Sequence, residues 1–116
     1  MRILIVDDEE GMRSLLEDFL GELNHGVLTA TNGEEALARL RQAKVDVVMT
    51  DRSMPVMSGD ELVRRISRER PHLPIIMLTA DVLSGEQREE LIKAGVVAFI
   101  KKPFNLSSLA DVLGHL

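Results

Sequence analysis

The chain has 116 residues, no cysteine and a net charge of −5, so it has room for one compact core but not two, and it can build neither a disulfide framework nor a thiolate metal site. Apolar residues make up 45% and charged residues 28%, too apolar for a chain that stays disordered. The acidic balance opposes nucleic acid and anionic lipid, no apolar run nears the ~20 residues of a membrane span, and the run Ile3 to Val6 is too short and too soon acidic for a signal peptide.

Short apolar runs alternate with amphipathic segments along the whole chain. Ile3 to Val6 has strand length and is rich in Ile and Val. After the acidic stretch Asp7 to Glu10, residues Met12, Leu15, Leu16, Phe19 and Leu20 recur at helical spacing. Val27 to Ala30 reads as a second strand, and Asn32 with Glu35 has the spacing of a capping box that opens a helix over Ala36, Leu37 and Leu40. Val45 to Met49 forms a third strand, and Ser58 with Glu61 opens a third helix over Leu62, Val63 and Ile66. Arg64, Arg65, Arg68 and Arg70, the one basic cluster, fall near that helix's end, where cations favour the negative end of the helix dipole, a reading preferred to a binding patch, and Pro71 and Pro74 bracket its exit. Ile75 to Leu78 is the fourth strand. Ser84 with Gln87 opens a fourth helix around Leu91 and Ile92, with Gly95 as its C-terminal cap. Val96 to Ile100 is the fifth strand, and Leu109 to Leu113 marks a fifth helix.

Strands that are apolar on both faces, joined by helical crossovers, imply a parallel sheet covered on each side. The fold class is therefore α/β, a flavodoxin-like doubly wound five-stranded parallel sheet of order 2-1-3-4-5 with five helices, and its site lies at the carboxyl ends of strands 1 and 3. The residues at those ends carry chemistry. Strand 1 ends in Asp7 and Asp8, strand 3 in Asp51, strand 4 in Thr79, and strand 5 in Lys102 before Pro103, whereas strand 2 ends in Thr31 and Asn32, which a helix cap explains. Three converging carboxylates repel one another unless a proton or a cation intervenes. An all-oxygen set without His or Cys suits Mg²⁺, and a lysine beside it would pair with Asp51 or with an incoming phosphoryl group. Such a set fits phosphoryl transfer, with an ionised Asp as nucleophile.

Each residue alone has a plainer reading. Acids at a helix start are stabilising, so a cap could account for Asp8 or Glu9; an Asp after a strand is commonly a turn residue; Thr79 could be a β-branched strand residue and Lys102 a solvated surface lysine. Their coincidence at four strand ends favours a site.

Read together, Ile5-Val6-Asp7-Asp8-Glu9, Asp51 with Met54-Pro55-Val56-Met57-Ser58-Gly59, Leu78-Thr79-Ala80 and Lys102-Pro103-Phe104 resemble the CheY-like receiver domains of bacterial response regulators. The resemblance spans the chain and implies a single receiver domain over 1–116, a signalling phosphoacceptor rather than an enzyme. By it, Asp51 would take a phosphoryl group from a sensor histidine kinase or phosphotransfer protein. Asp8 would bind Mg²⁺ directly, Asp7 mostly through water, and Ser53 through its backbone carbonyl. Thr79 would move to the phosphoryl oxygen, Lys102 would pair with it across a cis Lys102–Pro103 bond, and Phe99 would turn inward as the aromatic switch. The output surface would be the fourth helix, fifth strand and fifth helix, which could also support a homodimer, with no direct nucleic-acid binding and no membrane contact. Phe99 stands where Tyr is commoner, so no switch hydroxyl is available, and the short final helix suggests a domain cut from a longer protein. The fourth helix, charged along Glu86, Arg88, Glu89 and Glu90, buries little, as either a mobile output element or an ordinary solvated helix does. Arg52, Ser53 and Asp81 adjoin the site and are expected to tune water access. Absence of cysteine points to the cytoplasm.

Two other functions share this fold or chemistry. An FMN carrier would bind phosphate at the first loop, but Asp-Asp-Glu-Glu repels it and no Tyr or Trp is present to stack on a flavin. A Mg²⁺-dependent phosphatase with an aspartyl-phosphate intermediate would need a general acid two residues beyond Asp51, where Ser53 stands.

Overall fold

The computed structural model describes residues 1–116. Strands β1 (Arg2–Val6), β2 (Gly26–Ala30), β3 (Val47–Asp51), β4 (Ile75–Thr79) and β5 (Val96–Lys101) alternate with helices α1 (Glu10–Glu22), α2 (Gly33–Gln42), α3 (Gly59–Glu69), α4 (Gly85–Lys93) and α5 (Leu106–Gly114). All strand pairs are parallel, in the order β2-β1-β3-β4-β5, as the apolar runs require. No helix is long and apolar enough to cross a membrane.

Strand alternation sorts the core into two layers. Leu4, Val6, Val48, Ile75, Met77 and Val96 face α2, α3 and α4, whereas Ile3, Ile5, Val47, Met49, Ile76, Leu78 and Ile100 face α1 and α5. Every residue of β3 and β4 is buried, as expected of central strands covered on both sides. α1 buries Leu16 and Leu20 but leaves Leu15 about half exposed, and α4 buries only Leu91, with Ile92 open to solvent.

Several local expectations are corrected. β3 begins at Val47 rather than Val45 and runs on to Asp51, so the third strand itself delivers Asp51. Of the three capping boxes only Ser84 with Gln87 is reciprocal. Asn32 and Ser58 accept the expected backbone N–H groups, but the Glu35 carboxylate is drawn to the Thr31 hydroxyl, and that of Glu61 to Arg64 and Arg65. The arginine cluster is not a uniform dipole-capping group, because only Arg68 occupies the last turn of α3. Arg70 reaches instead to the carbonyl of Leu40, one of the orphan acceptors at the end of α2. α5 opens on Asn105, whose side chain accepts the Ser108 N–H, four residues ahead of the apolar stretch that marks the helix in sequence.

Two backbone constraints shape the loop after β3. The N–H of Met57 donates to the Pro55 carbonyl at 2.8 Å across Val56, which has φ 74°, a tight turn that a β-branched residue adopts only under strain. At Gly59 a Cβ would lie 2.4 Å from the Asp51 carbonyl oxygen and 2.8 Å from the Arg52 Cα, so α3 starts hard against the strand that carries Asp51. Gly59→Ala therefore lowers unfolding stability by about 1–3 kcal/mol, read from urea denaturation. Val56→Gly, relieving the turn at a small entropic cost, raises stability by about 0.5–1 kcal/mol in the same assay.

Candidate functional site

The alternation that builds the core also aims the site. Asp7 continues the row of Ile3 and Ile5, and Asp51 the row of Val47 and Met49, so both carboxylates leave the sheet on the α1/α5 side. Lys102 reaches the same side because of an irregularity. The β4–β5 pairing passes from Ile75↔Val96 to Ile76↔Ala98, which leaves Val97 as an extra residue. Val96 and Phe99 consequently pack with the α2–α4 layer, Ala98 and Ile100 with the α1/α5 layer. Lys102 follows the second row, as a bulge that shifts parity by one dictates.

Asp7 and Asp51 are buried, Asp8 is exposed, and one carboxylate oxygen from each lies within 4.8 Å of the others. Lys102 Nζ donates to Asp51 Oδ1 at 3.0 Å and stands 3.8 Å from Asp7 Oδ2. The backbone N–H of Arg52 also donates to Asp51 Oδ1, at 2.9 Å, leaving Oδ2 as the oxygen without a donor. Asp7 Oδ1 accepts the Glu9 N–H at 2.9 Å, so Asp7 makes the turn that leads into α1, while Glu9 occupies the N-cap without a side-chain bond. Glu9 thus stands at the helix start where an acidic charge favours the dipole, without capping it by a side-chain hydrogen bond. Asp7 Oδ2 is fully buried without a hydrogen-bond partner, an arrangement that costs free energy unless something else binds there. Burial pushes the Asp7 carboxyl above its ordinary 3.8; the neighbouring Asp51 and Asp8 charges push the same way, against the Glu9 N–H and Lys102. Acidic, all-oxygen and holding an orphaned acceptor, the cluster has the donor chemistry of a hard divalent cation.

Thr79 continues the row of Ile75 and Met77 on the other side of the sheet, buried at the end of β4, and its hydroxyl oxygen accepts the Asp81 N–H at 3.0 Å. Phe99 lies on that same side, half-buried against the α2–α4 layer, with the Arg88 guanidinium 4.5 Å from its ring centroid. Ser53 is exposed in the loop after β3, and the Lys102–Pro103 peptide is cis. Sequence reading missed Asp60, which pairs with Arg52, and the buried Thr50, whose hydroxyl donates to the Asp51 carbonyl at 2.9 Å. Asp60 was marked only by its place in the first turn of α3.

A family model described as the response regulator receiver domain matches residues 3–114. The chemotaxis protein CheY-3 of Vibrio cholerae is 39% identical over 119 residues, covering 100% of this chain and 91% of that protein. The autoinducer 1 sensor kinase/phosphatase LuxN of Vibrio campbellii is 36% identical over 113 residues, 97% of this chain, and the chain spans only 13% of LuxN. Among solved structures, the response regulator protein TrrA of Thermotoga maritima, in complex with Mg²⁺-BeF, superimposes with a TM-score of 0.84 at 35% identity, covering 98% of this chain and 96% of that one.

The raised Asp7 pKa fixes the sign of a pH effect. The folded chain holds the Asp7 proton more tightly than the unfolded chain, so this contribution to stability is full below pH 3.8 and is lost as pH rises through the higher folded value. At pH 7 the ionised Asp7 is a net cost, and Asp7→Asn stabilises the metal-free protein by on the order of 1 kcal/mol. Urea titrations across pH 4–7 check this, the gain shrinking toward the acidic end.

Proposed function

The chain belongs to the response regulator receiver domain family, and from that premise we propose that it is a single phosphoacceptor domain whose Asp51 takes a phosphoryl group from a phosphohistidine on a sensor histidine kinase or phosphotransfer protein. The observation that carries the reading is the arrangement of Asp51 itself: buried, with Oδ1 held by Lys102 and the Arg52 N–H and Oδ2 left without a donor. Oδ2 is the nucleophile. It forms a P–O bond as the donor's P–N bond breaks, the electron pair passing to the imidazole nitrogen, which leaves as neutral histidine after taking a proton from solvent. Lys102 keeps the attacking carboxylate oriented and places a compact positive charge beside the transferred group.

Asp7, Asp8, Asp51 and the Ser53 carbonyl would hold Mg²⁺, which supplies the neutralising charge that three carboxylates and a phosphoryl group require. Supporting this are the orphaned Asp7 Oδ2 and the Mg²⁺-BeF complex of the 35% identical TrrA. The kinase-linked partner is supported by LuxN, a sensor kinase with a matching segment. Thr79 and Phe99, on the α4 side of the sheet, would report modification to the face formed by α4, β5 and α5, through which the domain engages a target or a second copy. A cysteine-free, acidic domain suits work in the cytoplasm without contacting DNA itself. It signals, with self-phosphorylation from small donors and self-dephosphorylation as its only chemistry.

Incubated with acetyl phosphate and Mg²⁺, the protein gains the mass of one phosphoryl group by intact-protein mass spectrometry. Asp51→Asn and excess chelator each abolish the adduct, and Lys102→Ala slows its formation on the order of 100-fold. An unchanged mass in the presence of bound Mg²⁺ would sink the reading.

A further inference from the structure

The guanidinium of Arg52 lies between carboxylates on two different segments. Its Nε and Nη2 donate to the two oxygens of Asp60, in the first turn of α3, at 3.0 and 3.1 Å. Its Nη1 donates to Asp81 Oδ2, in the loop after β4, at 2.9 Å. The backbone N–H of Asp81 holds the Thr79 hydroxyl oxygen, and the backbone N–H of Arg52 holds Asp51 Oδ1. One residue is thus joined through its main chain to Asp51 and through Asp81 to Thr79.

The two arms differ in strength. The Asp60 arm is bidentate, with side chains 19% and 22% exposed, the geometry in which a guanidinium holds a carboxylate best. The Asp81 arm is a single bond to a side chain 52% exposed, where water competes well. Arg52 therefore stays anchored to α3 while its grip on the β4–α4 loop can be released at small cost. As long as the grip holds, the Asp81 N–H keeps the Thr79 hydroxyl turned into its own loop. A charge-assisted bond from that hydroxyl to a phosphoryl oxygen outweighs a half-exposed ion pair, so modification of Asp51 would reverse the balance.

We propose that Arg52 and Asp81 form a latch that holds Thr79 in its unmodified position, and that opening this ion pair is part of the step by which a phosphoryl group on Asp51 draws in the Thr79 hydroxyl. This rests on the aspartyl-phosphate reading above and makes Arg52 a positioning residue that acts through Asp81.

The test compares the full chain with Asp81→Ala, Arg52→Gln and the double variant, after thermal melts establish that each is folded. Amide hydrogen exchange at residue 79 to 82, without Mg²⁺ or phosphodonor, reads the latch alone and should be several-fold faster in all three. Titration with beryllofluoride and Mg²⁺ reads its coupling to the site. Each single variant should bind about 2- to 5-fold more tightly than the parent, a modest factor suited to a half-exposed pair, and the double variant no more tightly than the singles. Unchanged exchange overturns the latch. Faster exchange with unchanged affinity, or additive gains in the double variant, overturns its coupling to Thr79. A parent protein that binds no beryllofluoride while Asp81→Ala still speeds exchange overturns the aspartyl-phosphate reading instead.

Discussion

Three carboxylates share a space of 4.8 Å at the end of the sheet, and one ammonium group, from Lys102, faces them. That charge deficit governs the local structure. It leaves Asp7 Oδ2 buried with only a 3.8 Å approach to Lys102, and it adds to burial in raising the Asp7 pKa. A pocket so arranged costs stability by itself, and a bound cation would offset that cost through its binding energy. The fold tolerates the deficit because it is confined to the strand ends. Below it, both faces of β3 and β4 are sealed by aliphatic side chains that carry the stability.

Much of this was legible because alternation is a strict rule in buried strands. Once Ile3, Ile5 and Val47, Met49 are placed against one layer, Asp7 and Asp51 must follow them to that side, and the pairing of β1 with β3 brings the two carboxylates together. The order of strands and the place of Asp51 at the end of the third follow from hydrophobic runs and from what terminates them. Asp7, Asp8, Asp51 and Lys102 converge as the strand-end reading anticipates, whereas Thr79, expected in the same crevice, ends its strand in the row that faces α2, α3 and α4 and holds the Asp81 N–H.

What escaped the sequence shares a physical cause: it depends on choices between near-equivalent partners. The extra residue at Val97 cannot be told from an ordinary strand residue, yet without it Lys102 would fall on the row of Val96, away from Asp51. Glu61 could return to Ser58 or pair with Arg64 and Arg65, and spacing alone does not decide between a cap and a charge. Arg52 likewise has many possible partners in sequence. Only the approach of α3 to the strand at Gly59 puts Asp60 beside its guanidinium, and only the adjacency of β4 to β3 brings in Asp81.

The sheet also separates the proposed chemistry from its proposed output. Asp7, Asp51 and Lys102 emerge on the α1/α5 side, whereas Thr79 and Phe99 belong to rows that face α2, α3 and α4. Any signal from Asp51 to α4 must therefore pass around the end of β4, and Thr79, the last residue of that strand, is where it can turn. The elements beyond are suited to respond. α4 buries a single side chain, Leu91, and Phe99 is covered on its outer side by the exposed Arg88 rather than by core. A weakly buried helix over a half-buried ring can shift at low cost, while the buried Leu16, Leu20, Leu109 and Leu113 of α1 and α5 back the strands that carry the carboxylates. A loosely held α4 beside otherwise well-buried layers on both sides of the sheet is what would allow a small change at Asp51 to move one face without dismantling the site that produced it.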